Sequence, residues 1–193
     1  MKKTLAIITI FLATQVFSFA QTNLSGTIKT ISNDEIGAVN VSIFDANDIL
    51  ISQTQVSGSF SFPNLNEGET YRLVFEKGSD PLNGVSTFDL VIHQRHILGI
   101  SALDSPYKIF AADVNDSQTI TVFDAVLMRK LILAINDELP SPSWQFLPAN
   151  IPATPNPFGY TYNEILVTMD STNETVEVIG FKMGDLNNSA NPD

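Results

Sequence analysis

The 193-residue sequence predicts an α+β protein of more than one domain: a small antiparallel β-sandwich, then a two-helix unit, then an irregular C-terminal extension. Three observations predict this arrangement. Apolar residues alternate along residues 23–77, an internal repeat with helical spacing follows, and the end of the chain is rich in proline, asparagine and aspartate. We therefore divide the chain into residues 1–20, 21–78, 79–138 and 139–193.

Residues 1–20 have the pattern of a secretory signal peptide. Lys2 and Lys3 precede an apolar run, and the small residues Ser18 and Ala20 indicate cleavage before Gln21. An uncleaved membrane anchor is the less favoured alternative, because the run is short and polar residues interrupt it. We expect a secreted protein, extracellular or at the cell surface, without a membrane span after cleavage. Since the sequence contains no cysteine, disulfides and lipoprotein acylation are excluded.

The charge of the chain limits its partners. It has 10 basic and 21 acidic residues and a formal net charge of −11, which becomes −13 once Lys2 and Lys3 are removed. This charge disfavours nucleic acid and anionic membrane surfaces as partners. It is compatible with binding of divalent cations.

Residues 23–77 have the pattern of short strands separated by turns. Apolar residues alternate over 39–44 and 71–76, and Phe60 and Phe62 flank Ser61 after a turn at Ser57-Gly58. The order of these signals resembles the carboxypeptidase-regulatory or Cna-B-type β-sandwich family, which implies the fold of this segment. The matching segments are Ser25–Ile28, Gly37–Val41, Gly58–Phe62 and Gly68–Leu73.

Residues 79–138 contain an internal repeat at an offset of 35 residues. The segment 83–100 reads NGVSTFDLVIHQRHILGI, and the segment 118–135 reads QTITVFDAVLMRKLILAI. The identical pairs are Phe88/Phe123, Asp89/Asp124, Val91/Val126, Ile97/Ile132, Leu98/Leu133 and Ile100/Ile135. Each copy is expected to be a loop followed by a helix, and the helices are expected to bury one apolar face against each other. In the second copy this face is predicted to comprise Phe123, Val126, Leu127 and Leu131.

Residues 113–124 have the spacing of a twelve-residue calcium-binding loop. Calcium takes roughly six to eight oxygen ligands, and alternate residues of a tightly wound loop can supply them. The predicted ligands are Asp113, Asn115, Ser117, Thr119, Thr121 and Asp124. Gln118 occupies the usual glycine position, so it is expected to adopt a left-handed φ at a cost of about 1 kcal/mol. A calcium-free turn is the alternative.

The aspartate at the last loop position, the absence of a predicted helix before the loop and the paired repeat make residues 79–137 resemble the dockerin family. Dockerins also commonly carry a basic pair where this chain has Arg129-Lys130. The resemblance implies calcium as the cofactor and a cohesin-like partner domain, with partner-binding residues Arg95, Arg129 and Lys130. The Ser-Thr pair of dockerins corresponds to Thr87-Phe88 and Val122-Phe123. Calcium is expected to stabilise residues 79–137 and not the strands of 23–77.

A second, split calcium site is predicted from the C-terminal extension. Residues 185–189 repeat the three ligand types of residues 113–117 at the same spacing, but no second half follows. The first repeat retains only the second half of a loop. We therefore expect the extension to fold back and form a site from Ser86, Asp89, Asp185, Asn187 and Ser189. The alternative is a truncated third repeat that binds nothing.

Other functions have weaker support in the sequence. His93 and His96 form an H-x-x-H pair, but the repeat places them on or beside the buried stripe, and no third histidine or cysteine is available for zinc. We find no pattern of catalytic carboxylates, Ser-His-Asp residues or phosphate-binding glycines, and expect a non-enzyme. Two alternatives to an assembly module stay open. One is a purely structural fragment of a larger surface protein, and the other is an adhesive or polysaccharide-binding protein that uses Phe60, Phe62 and Tyr71.

Overall fold

The computed structural model describes residues 21–154, 156–170 and 172–193, so the predicted signal peptide lies outside the described residues. Within those ranges the chain forms eight strands and three helices. In chain order they are β1 (Gln21–Lys29), β2 (Val39–Phe44), β3 (Leu50–Val56), β4 (Ser59–Asn66), β5 (Thr70–Lys77), α1 (Thr87–Ile97), α2 (Pro106–Ala112), α3 (Val122–Ile132), β6 (Trp144–Pro148), β7 (Glu164–Thr168) and β8 (Glu174–Lys182).

The strands form two four-stranded sheets, ordered β4-β1-β8-β6 and β3-β2-β5-β7. Neighbouring strands are antiparallel except β1 and β8, which run parallel with Leu24 opposite Glu174 and Lys29 opposite Ile179. The predicted alternation is confirmed in β2 and β5, where the apolar positions are buried and their neighbours are more exposed. Apolar side chains from both sheets form one core, with Phe75 in contact with Phe60 and Phe146. The fold is therefore mixed α/β, with two sheets compatible with a β-sandwich.

The extension, residues 139–193, has more contacts than the sequence predicts. We expected it to pack on the helical unit, and it also adds strands to both sheets: β6 and β8 belong to the sheet of β1, and β7 pairs with β5. The proline-rich part is compatible with one short strand because β6 is at a sheet edge and Pro148 is its last residue. The sandwich therefore needs residues from both ends of the chain.

A second core surrounds the helices, and the extension also contributes to it. Phe110 of α2 is fully buried and stacks against Phe181 of β8, with ring centroids 6.1 Å apart. Val178, three residues earlier in the same strand, is buried in the sandwich core. Strand β8 thus spans both cores and connects them mechanically.

One prediction about the repeat region was partly wrong and another was wrong. Leu127 and Leu131 are buried as predicted, but Phe123 and Val126 are exposed, because the buried face of α3 carries Ala125 and Met128 instead. A helix does precede the loop: α2 ends at Ala112, and Asp113 is its C-terminal cap. This helix has only seven residues, and since all but Lys108 are buried, it lacks the polar positions that would reveal a helical period.

No helix among the described residues is long and apolar enough to cross a membrane.

Candidate functional site

The predicted loop 113–124 ends in the first turn of α3. Thr121 caps the helix: its hydroxyl accepts a hydrogen bond from the Phe123 N–H at 3.2 Å, and the Asp124 carboxylate accepts from the Thr121 N–H at 2.8 Å. This reciprocal capping is favourable because a carboxylate near a helix N-terminus is stabilised by the unpaired N–H groups there. It holds Thr121 and Asp124, two of the three predicted ligands of the second half of the loop, in place.

The first half of the loop winds around the Asp113 carboxylate. Oδ1 of Asp113 accepts from the Ser117 N–H at 2.9 Å, and Oδ2 accepts from the Gln118 N–H at 2.6 Å. The Ser117 hydroxyl lies 3.1 Å from the Thr119 carbonyl oxygen, so two of the predicted oxygens are adjacent. Asp116 and Gln118 both have positive φ, of 54° and 62°. The left-handed conformation predicted for Gln118 is confirmed.

Two of the three acidic residues of the loop, Asp113 and Asp124, are buried, and neither forms a salt bridge with the described residues. Asp124 is 0 % exposed, and its Oδ1 accepts no hydrogen bond from the described residues. Asp113 is 1 % exposed. Burial raises the pKa of the Asp113 carboxyl and the nearby charge of Asp124 raises it further, against hydrogen bonds from Ser117 and Gln118 that lower it. A buried carboxylate oxygen without a partner is costly unless a cation or donor meets it.

These residues fit a hard cation that binds oxygen. The described residues contain no group of three or more His, Cys, Asp or Glu side chains that could hold a metal. A metal in this loop would therefore depend on two carboxylates together with amide, hydroxyl and carbonyl oxygens, which is a calcium-type ligand set. The unpaired Oδ1 of Asp124 is the atom that such an ion would satisfy.

The structure brings together the five residues of the predicted split site. The loop 185–189 winds around Asp185 as the other loop winds around Asp113: its carboxylate accepts from the Ser189 N–H at 3.1 Å and from the Ala190 N–H at 2.8 Å. Ser86 and Asp89 form the same reciprocal cap at the start of α1. Asp89 Oδ1 accepts from the backbone N–H groups of Leu186 at 2.8 Å and Asn187 at 3.1 Å.

Two contacts of this junction were not foreseen from the sequence. The Ser189 hydroxyl donates to the Gly84 carbonyl at 3.2 Å, and Asn83 and Asn191 exchange two hydrogen bonds of 2.7 and 2.8 Å. Gly84 aligns with Thr119 in the repeat, which could have identified its carbonyl as a candidate ligand. The Asn83–Asn191 contact could not be predicted from the sequence, because the two residues are 108 positions apart and no motif connects them.

Four of the six identical pairs of the repeat are apolar and exposed, and we call these eight residues the repeat face. The exposed fractions are 58 and 56 % for Phe88/Phe123, 47 and 39 % for Val91/Val126, 70 and 62 % for Leu98/Leu133, and 63 and 67 % for Ile100/Ile135. The repeat therefore preserves solvent-facing apolar residues, which core packing does not explain.

The predicted partner-binding cations lie on the same two helices. Arg95 and Arg129 are exposed and Lys130 is half-buried, all in the last turns of α1 and α3. A shallow apolar hollow lies between the helices, lined by Gln94, Ile97, Leu98, Val122 and Ala125. Basic side chains thus accompany an apolar surface on an otherwise acidic chain.

The other candidate residues have structural explanations. His93 is fully buried, its Nε2 lies 3.2 Å from the Ala112 carbonyl oxygen, and burial lowers its pKa. His96 accepts a hydrogen bond from the Leu103 N–H. Phe60, Phe62 and Tyr71 lie in the sandwich core with at most 5 % exposure, so their rings are not available to stack on a sugar.

Comparisons with known proteins do not assign the chain to a family. No protein-family model matches it, and no curated protein matches it significantly.

Proposed function

We propose that this chain is a secreted, non-catalytic, calcium-binding module that docks on another extracellular protein, similar to a dockerin preceded by a Cna-B-type β-sandwich. The observation that carries the proposal is the Asp124 carboxylate: it is fully buried at the end of a twelve-residue loop, and its Oδ1 has no hydrogen-bond partner among the described residues. Export is inferred from residues 1–20 alone.

Calcium is the ion that this loop suits best. Its oxygen ligands include hydroxyl, amide and carbonyl groups on an irregular loop, whereas magnesium demands near-ideal octahedral geometry and retains several waters. With only two carboxylates and a non-glycine residue at Gln118, we expect a Kd near the weak extracellular class of about 10⁻⁴ M. An ion bound between Asp113 and Asp124 would also offset the repulsion that these carboxylates exert on each other.

Docking is supported by the repeat face. Leu98 and Leu133 are the same residue type and are similarly exposed, as are Phe88 and Phe123. The two repeats therefore offer similar apolar surfaces. Exposed apolar patches of this kind mark interaction surfaces. The adjacent cations Arg95 and Arg129 indicate a partner domain whose apolar patch is surrounded by carboxylates.

Thermal unfolding tests the calcium assignment. At a calcium concentration about 100-fold above Kd, binding to the folded state alone adds about 2.7 kcal/mol. For a protein of this size, that corresponds to a rise in Tm of roughly 5–10 °C relative to EDTA. Asp113→Asn should remove the part of the rise that comes from this loop. Asp116→Asn is the matched control, because it removes one charge from the same loop at an exposed residue and asparagine tolerates the left-handed φ.

The assignment fails if Asp113→Asn and Asp116→Asn retain the same calcium-dependent rise. Docking is tested separately by affinity capture from the producer's own extracellular proteins, in calcium and in EDTA. The double variant Leu98→Ser/Leu133→Ser should lose the captured partner without losing calcium binding. Leu166→Ser, at an equally exposed leucine on β7, should capture it normally. Equal capture by both variants would exclude the repeat face.

A further inference from the structure

We propose that the loop Asp185–Ser189 and the loop before α1 together hold a second divalent cation of calcium size, so that the ion ties the C-terminal loop of the chain to the helical unit. The site is made of two segments about a hundred residues apart. It is separate from the loop 113–124 and does not depend on docking.

The two loops share the hydrogen bonds that their first aspartate accepts from the fifth and sixth residues. In the intact loop Asp113 accepts from the N–H groups of Ser117 and Gln118, and in the split loop Asp185 accepts from those of Ser189 and Ala190. The serine hydroxyl then lies beside a carbonyl oxygen in both, Thr119 at 3.1 Å and Gly84 at 3.2 Å. The two segments of the split loop meet between Ala190 and Asn83, and the two hydrogen bonds between Asn83 and Asn191 join them.

An unpartnered atom points to a ligand in the split loop. The carboxamide Oδ1 of Asn187 is shielded from solvent and accepts no hydrogen bond from the described residues. Asn187 occupies the third loop position, equivalent to Asn115, where such loops supply an oxygen to calcium. A buried amide oxygen without a donor costs free energy that a cation would recover.

The charges of the junction also favour a cation. Asp89 is 0 % exposed and Asp185 is 4 % exposed. Burial raises the pKa of the Asp185 carboxyl, hydrogen bonds from Ala190 and Ser189 lower it, and the charge of Asp89 raises it. The nearby ammonium of Lys182 donates to the carbonyls of Pro81 and Met183, so its hydrogen bonds do not go to either carboxylate.

Asp89 differs from Asp124 in its hydrogen bonds. Both its oxygens already accept hydrogen bonds, from Ser86 on one side and from the tail on the other. It therefore positions the tail in addition to supplying negative charge, and the other oxygens of the proposed site come from Asp185, Asn187, Ser189 and the Gly84 carbonyl. The intact loop lacks the two tail contacts, which leaves Asp124 Oδ1 free.

The position of this loop in the fold gives the ion a structural consequence. The loop begins three residues after β8, which pairs with β1 and β6 and reaches both cores. An ion that holds the loop on α1 therefore restrains the central strand of one sheet. Calcium should protect the sandwich as well as the helices, contrary to the expectation from the sequence.

Calcium titration of the full chain by calorimetry tests the proposal, with folding of each variant checked by circular dichroism. We expect two ions for the wild type, one for Asp185→Asn, one for Asp113→Asn and none for the double variant. A contrary outcome is that the wild type binds a single ion, which is lost in Asp113→Asn and retained in Asp185→Asn. This result would overturn the split site and leave the proposed function intact. One ion lost only in Asp185→Asn would support the split site and refute the intact loop. Absence of binding would refute both.

A variant that adds a negative charge to the split site distinguishes a bound cation from an empty site. Asn187→Asp adds a third carboxylate beside Asp89 and Asp185. With a cation in the site, calcium affinity should rise several-fold; without one, the variant should be destabilised and calcium should not restore its stability. Hydrogen exchange supplies a further readout: calcium should slow exchange along β8 more in Asp113→Asn than in Asp185→Asn. Equal slowing in both variants would overturn the proposal.

Discussion

Replacing Gly84 with alanine would test how closely the C-terminal tail approaches the helical unit. Gly84 has φ of 74°, and a Cβ built there would lie 2.6 Å from both the backbone nitrogen and Cα of Ala190. Such a contact is shorter than carbon atoms tolerate, and the obstacle is backbone that has no rotamer to change. The tail would have to move, and the Ser189 bond to the Gly84 carbonyl would be lost with it.

Gly99 provides the matched control for this change. Its φ is 68°, and no heavy atom of the described residues lies within 4 Å of a Cβ added there. Alanine at a left-handed φ costs about 1–2 kcal/mol, and reduced freedom of the unfolded chain returns about 0.4–1 kcal/mol. We therefore expect Gly99→Ala to cost about 1 kcal/mol. Gly84→Ala adds an overpacking cost of about 1–3 kcal/mol, for a total of about 2–4 kcal/mol.

Urea unfolding in EDTA measures both losses without metal. Gly84→Ala should lower the free energy of unfolding by clearly more than Gly99→Ala, and it should also remove one calcium ion from the binding stoichiometry. If the two variants lose equal stability, the tail does not pack against Gly84, and the geometry of the split loop is wrong.

Three further predictions concern residues at other points of the fold. Burial lowers the pKa of Lys182 from 10.5 to about 8; between pH 8 and 10 the unfolded state then binds more protons, so stability should rise with pH by up to about 3 kcal/mol. Urea titrations across this range should show the rise in the wild type and a flat profile in Lys182→Met, and a flat wild-type profile would contradict it. Gln118→Gly should relieve the left-handed strain, raise stability by up to about 1 kcal/mol and tighten calcium binding, and weaker binding would count against the loop assignment. Phe181→Ala should cost about 3–5 kcal/mol, and fluorescence of Trp144 and circular dichroism should show one shared transition; separate transitions would mean that β8 does not couple the two cores.

Several features of the fold follow from local patterns in the sequence. Alternation around Val41 and Leu73 predicts β2 and β5, because a strand exposes successive side chains to opposite faces. The spacing of residues 113–124 predicts the left-handed conformation of Gln118 and a helix that begins near Asp124, because these features depend on residues a few positions apart. The same regularity in residues 185–189 predicts that they adopt the shape of residues 113–117.

Tertiary packing decided which apolar residues are buried. The repeat identifies Phe123 and Val126 as apolar, but α3 has apolar residues on two faces, and only contact with α1, α2 and the tail selects the face of Leu127 and Met128. Helix α2 was not predicted from the sequence, because it is almost completely buried and lacks the polar positions of an amphipathic helix.

By itself, the sequence determined the strand pattern, the repeat and the two half-loops, since each depends on the chemistry and spacing of near neighbours. The tertiary structure alone decided that β8 pairs parallel to β1 and that the Gly84 carbonyl and Asn83 join the Asp185 loop to the segment before α1. Such contacts link residues more than a hundred positions apart, so they depend on how all the elements fill two cores at once. No local preference of the chain encodes that arrangement, and this is why the extension became part of the sandwich rather than an appendage of the helices.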